Sequence, residues 1–174
     1  LDINVELNAT GSFHDALSNR DFKLISPYGT IVDLAVSSTI SGTYSLSATV
    51  FDDEASTTIS SGSAPYMGSF QPDGNLSDFD QESMTGTWQL WVYSNTNNNN
   101  YNLSITSWSI TVEYNSSTPS DPPTTSGTTY TGSSFSSSGA GVTTSDLVIS
   151  DAGTILDINV ELNATGTYTA ALSN

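Results

Sequence analysis

The densest group of hard oxygen donors in the chain is Asp52-Asp53-Glu54, with Asp21 upstream and Asp78 and Asp80 downstream. Consecutive carboxylates at a strand end suit Ca2+, which takes six to eight oxygens at about 2.3–2.6 Å. Asp21, Asp52, Asp53, Asp78 and Asp80 are therefore the candidate ligands of a structural calcium ion. The simpler alternative is that these acids keep an anionic surface soluble. No group points to catalysis. A nucleophilic triad needs a base, and the only histidine, His14, gives way to Thr169 where its surroundings recur. Asp78 and Asp80 at acid/base spacing read as a solvated or ion-binding turn. With no cysteine there is no disulfide, thiolate zinc site or cysteine nucleophile. The chain reads as a non-enzyme.

Five N-x-Ser/Thr sequons, at Asn8, Asn75, Asn102, Asn115 and Asn163, are candidate glycosylation sites of a glycoprotein. Trp88, Trp91 and Trp108 lie in strand-like runs, where aromatic residues more often fill a core than form a carbohydrate platform.

Eighteen acidic residues face two basic ones, Arg20 and Lys23, for a formal net charge of −16 in 174 residues. A surface of that sign repels nucleic acid and anionic membranes, so neither is an expected partner. No apolar run approaches the roughly 20 residues of a membrane-spanning helix. Scarcity of Lys and Arg, where trypsin-like proteases cut, suits a secreted protein at the cell surface or outside the cell.

The organisation is set by an internal repeat. Residues 156–174, LDINVELNATGTYTAALSN, match residues 1–19, LDINVELNATGSFHDALSN, at fifteen of nineteen positions, an offset of 155 residues. That offset implies a tandem array, with further sequence expected upstream of Leu1. Residues 115–129, NSSTPSDPPTTSGTT, contain three prolines and almost no apolar side chain, which reads as a linker. The expected domains are 1–114, a β-sandwich lacking its opening strands; 115–129, the linker; and 130–174, the opening strands of the next copy.

Strand signals dominate. Leu1, Ile3, Val5 and Leu7 alternate with Asp2, Asn4, Glu6 and Asn8, the period of two that puts apolar groups on one sheet face. Similar runs occur at 22–25, 30–36, 44–51, 88–93 and 103–114. In the last, alternation slips around Ser107-Trp108, where a bulge is expected. Turn chemistry at Ser26-Pro27-Tyr28-Gly29, Ser41-Gly42 and Pro72-Asp73-Gly74 separates the runs. No segment carries a helical period. The expected fold is all-β, an antiparallel jelly-roll β-sandwich.

Several words in this order resemble the P domain (P/Homo B domain) that accompanies the catalytic domain of kexin- and furin-like proprotein convertases and occurs in many bacterial secreted proteins. They are Asp21-Phe22-Lys23-Leu24-Ile25-Ser26-Pro27-Tyr28-Gly29-Thr30, Phe51-Asp52-Asp53-Glu54-Ala55, Gly68-Ser69-Phe70-Gln71-Pro72, Leu76-Ser77-Asp78-Phe79, Gly86-Thr87-Trp88-Gln89-Leu90 and Ser107-Trp108-Ser109-Ile110. The resemblance implies a jelly-roll sandwich, and a structural calcium fits it. Asp151-Ala152-Gly153-Thr154 resembles the turn before the family's long alternating strand. The chain departs from the family in the Ser94–Asn100 loop, which lacks the usual acidic and glycine residues, and at Asn8-Ala9-Thr10-Gly11, which lacks a histidine common there.

The leading expectation is a structural or adhesive module of a secreted repetitive protein. Its partners would be adjacent repeats or copies of itself, as a homo-oligomer or a filament built by strand addition from residues 130–174. The alternative is a non-catalytic accessory domain that stabilises a secreted protease.

Overall fold

A computed structural model describes residues 7–8, 17–40, 45–96, 101–115 and 125–168. They form β1 (Leu7–Asn8), β2 (Arg20–Ile25), β3 (Ile31–Ala35), β4 (Ser45–Phe51), β5 (Gly68–Phe70), β6 (Gly86–Ser94), β7 (Tyr101–Asn115), β8 (Thr125–Gly132), β9 (Phe135–Ser138), β10 (Gly141–Ile149) and β11 (Thr154–Tyr168). Two short 3-10 turns, Ile59–Ser61 and Leu76–Phe79, are the helical elements among the described residues.

The chain is an all-β sandwich. One sheet has the order β1-β11-β7-β8, with β9 also on β7; the other has the order β10-β6-β2-β3. Pairing is antiparallel apart from β1 with β11 and β4 with β5, which are parallel. The β4–β5 ribbon lies against β11 and β1.

Side-chain alternation explains the strands. In β2 Phe22 and Leu24 are buried while Asp21 and Lys23 are half-buried, and in β6 Trp88, Leu90 and Val92 are buried while Tyr93 is exposed. β7 buries Leu103 and Ile105, then Trp108, Ile110 and Val112. The change of phase falls on exposed Thr106, and there the register with β11 shifts from Asn163↔Ser107 to Ala164↔Ile105. A bulge thus stands where the sequence alternation slips. It keeps both halves of the long strand facing one core.

Both sheets contribute to that core, which includes Phe22, Leu24, Phe79, Trp88, Leu103, Trp108, Ile110 and Ile158. Each fully buried Leu, Ile or Phe stabilises the fold by roughly 1.5–3 kcal/mol relative to exposure. The buried indoles keep hydrogen-bond partners: Trp88 Nε1 donates to Met84 O over 3.0 Å and Trp108 Nε1 to Ser145 Oγ over 3.1 Å. The second bond joins the two sheets, because Trp108 is on β7 and Ser145 on β10. Phe79 meets Trp88 edge to face, ring centres 5.1 Å apart.

Residues 125–168 close both sheets of their own chain. β8 and β9 share one register on β7, from Asn115↔Thr125 to Asn102↔Ser138, interrupted opposite the bulge at Ser133-Ser134. β10 pairs with β6 from Gly141↔Ser94 to Ile149↔Gly86, and β11 with β7 from Thr154↔Asn115 to Tyr168↔Tyr101. Strand β8 begins at Thr125, inside the stretch read as linker, and Asn115 ends β7. A run of threonines opposite a long β-branched strand supplies the pairing, since threonine fits a pleated surface well.

Candidate functional site

The acidic residues split into two places. Asp21, on β2, accepts the Ser37 N–H at Oδ1 over 2.6 Å. The others gather where β4 ends. Asp52 is buried, and its Oδ1 takes the Glu54 N–H at 2.8 Å, closing a tight turn. Asp53 accepts Leu76 N–H at Oδ1 (3.0 Å) and Ser77 N–H at Oδ2 (2.9 Å), so both of its oxygens hold the start of the Leu76–Phe79 turn. Asp78 lies exposed within that turn and Asp80 follows it. Burial first, then the charges of Asp53 and Glu54, push the Asp80 carboxyl above the usual range. Asp53, Glu54 and Asp80 therefore form a mutually repelling acidic corner. Among the described residues no group of three or more His, Cys, Asp or Glu side chains is set to hold a metal ion.

Both cations are engaged. Lys23 Nζ pairs with Asp33 Oδ1 and lies 5.6 Å from the centre of the Trp91 ring. Arg20 is buried and donates to Ser137 on the opposite sheet. The remaining exposed charge is acidic.

Trp88 and Trp108 are fully buried. Trp91 is half-buried on the outer face of β6, where it stacks on Tyr93 with ring centres 5.8 Å apart and planes at 18°. Lys23 beside the ring and Tyr93 against it occupy this indole. Of the sequons, Asn75 is exposed ahead of a turn, and Asn102 sits in β7 between Thr167 of β11 and Ser138 of β9. Asn115 ends β7, and Asn8 and Asn163 are register partners in the β1–β11 pair. His14 and residues 116–124 lie outside the described residues. No described helix is long and apolar enough to cross a membrane. A depression of about 370 Å3 opens at the bulge, lined by Ser104, Ile105, Thr106, Ser134, Phe135 and Ser136.

The most specific constellation is made by backbone and sequence together. Leu7 pairs with Leu162 and Asn8 with Asn163, and both pairs are separated by 155 residues. Copies of one strand thus lie side by side in one sheet with equivalent residues opposite. Sequence reading identified the repeat but not this adjacency. Nor did it foresee the Arg20–Ser137 bond, because a serine in a Ser-rich run carries no local signal. No protein-family model matches the chain, and neither the curated proteins nor the solved structures contain a significant match.

Proposed function

We propose that the chain is a structural or adhesive module of a secreted, repetitive extracellular protein. The observation that carries this reading is the recurrence of residues 1–19 at 156–174, with fifteen identities and a period of 155 residues. A period that spans a whole sandwich is what a tandem array of such modules requires. The acidic, lysine-poor surface supports an extracellular setting, since it offers trypsin-like proteases few cleavage points.

The P-domain-like words fall on structural joints of the sandwich. Asp21–Thr30 runs along β2 into the turn before β3, Gly86–Leu90 begins β6, and Ser107–Ile110 lies in the middle of β7. This supports a P-domain-like jelly roll as the repeating body. Intact mass and peptide mapping of the native polypeptide test the reading. The expected result is several 155-residue units; one copy joined to a catalytic region would overturn it and make the module a protease accessory domain.

A further inference from the structure

The slot beside β7 has two claimants of nearly the same sequence. β11 holds it from Thr154 to Tyr168, and its register includes Leu162↔Trp108, Asn163↔Ser107 and the shift to Ala164↔Ile105 that accommodates Thr106. Leu7-Asn8-Ala9 repeats Leu162-Asn163-Ala164, so the N-terminal copy carries the same residues for the same bulge. β1 runs parallel to β11, and therefore antiparallel to β7, the direction the slot requires. A lateral step of one strand spacing, about 4.8 Å, would bring Leu7 opposite Trp108 and Asn8 opposite Ser107 with no reversal of the chain.

The connection to the body also allows the move. Tyr168 pairs with Tyr101 and Arg20 with Ser94, and the short segment 95–100 joins Ser94 to Tyr101. The far end of the slot and the start of β2 therefore lie at the same end of the sandwich. Phe13, the counterpart of Tyr168, is seven residue steps from Arg20. Seven extended steps reach about 23 Å, against about 10 Å between packed sheets.

We propose that either copy can fill the slot. When the N-terminal copy fills it, residues 156–168 are released to take the same slot on a second copy of this chain. The occupant is a second copy because the slot selects one alternation, one direction and one bulge, and this sequence supplies all three. In an array each body then has two possible closing strands, the one before it and the one after it. The proposal rests on the repetitive-protein reading, and it turns that reading into a specific means of joining modules.

The test uses the full chain, which has no native cysteine. Ser107→Cys is combined with Asn163→Cys or with Asn8→Cys and oxidised with copper phenanthroline and air, which joins the thiols as a disulfide only where the two strands are direct neighbours. Both double variants are expected to link internally. Chains carrying S107C alone, refolded in 0.5 M NaCl with chains carrying N163C alone, are expected to give a cross-linked dimer. That dimer should be several-fold more abundant than with S38C chains, Ser38 being exposed and outside the strands. The salt screens the −16 charge on each partner. A second readout is far-UV circular dichroism: L162D and L7D each leave the chain folded, while the double variant unfolds. If L162D alone unfolds the chain and S107C/N8C fails to link, residues 156–168 alone fill the slot and the proposal is overturned. If internal links form but mixed dimers do not, donation to a second copy is overturned. Neither result touches the repetitive-protein reading, which the native mass decides separately.

Discussion

Arg20 Nη1 donates to Ser137 Oγ across the sandwich over 2.7 Å, and Nη2 lies 3.4 Å from Ser137 O. The two residues are 117 positions apart. Arg20 is 1% exposed, and burial pulls its guanidinium down to about 10. This bond ties β2 to β9, and so ties the body to the segment that closes it. Ser137→Ala removes the Oγ acceptor from a buried charged donor, and hydrogen bonds to charged groups contribute about 1.5–3 kcal/mol. Urea unfolding of S137A should show a loss of that size with an unchanged m-value.

Gly132 pairs with Trp108, and a Cβ at that glycine would stand 2.1 Å from the indole Cε2. The indole fills the space a side chain would need. Gly132→Ala should cost about 1–3 kcal/mol, in the range of other overpacking substitutions. The displaced ring would also strain the Trp108–Ser145 bond, so the near-UV circular dichroism should change along with the unfolding midpoint.

Asp80 titrates above its ordinary range because the fold partly buries it and sets Asp53 and Glu54 near it. The folded state therefore holds this proton more tightly than the unfolded state. Stability contributed by the protonated group is present at low pH and is lost as pH rises through the raised carboxyl range. Asp80→Asn should raise the midpoint at pH 7, and the advantage should vanish toward pH 3. A constant difference across that range would separate the effect from ionisation.

Asp53 acts through two backbone N–H groups, those of Leu76 and Ser77. Asp53→Ala should cost about 0.5–2 kcal/mol, as the loss of a capping side chain does. Because the lost bonds are N–H···O bonds, the cost should be equal in millimolar calcium and in EGTA. A cost confined to calcium-containing buffer would assign Asp53 to a cation site.

Much of the body was legible in the chain. Alternation at Phe22–Ile25, Trp88–Val92 and Leu103–Val112 reports one buried face, and the slip near Trp108 marked the bulge at Thr106. The Ser/Thr-rich strands were less visible. β8 and β9 carry few apolar residues, so their pairing is set by the partner strand rather than by their own pattern. The acidic corner was legible only in part. Asp53, Glu54 and Asp80 were close enough in type and order to suggest a cluster, but Asp21 accepts a hydrogen bond from Ser37 N–H instead, and sequence spacing cannot show that.

Closing the body with strands that follow it in the chain bears on how the protein is made. β7 is complete at Asn115, yet β11, which pairs along its whole length, is complete only at Tyr168. During synthesis the edge of β7 that β11 will pair waits while about fifty more residues are added, roughly 3–10 s at about 5–20 residues per second. A strand located ahead of the body would already be present at that moment. Under the strand exchange proposed above, the earlier copy of the strand shields the unpaired edge of β7 until its later twin emerges.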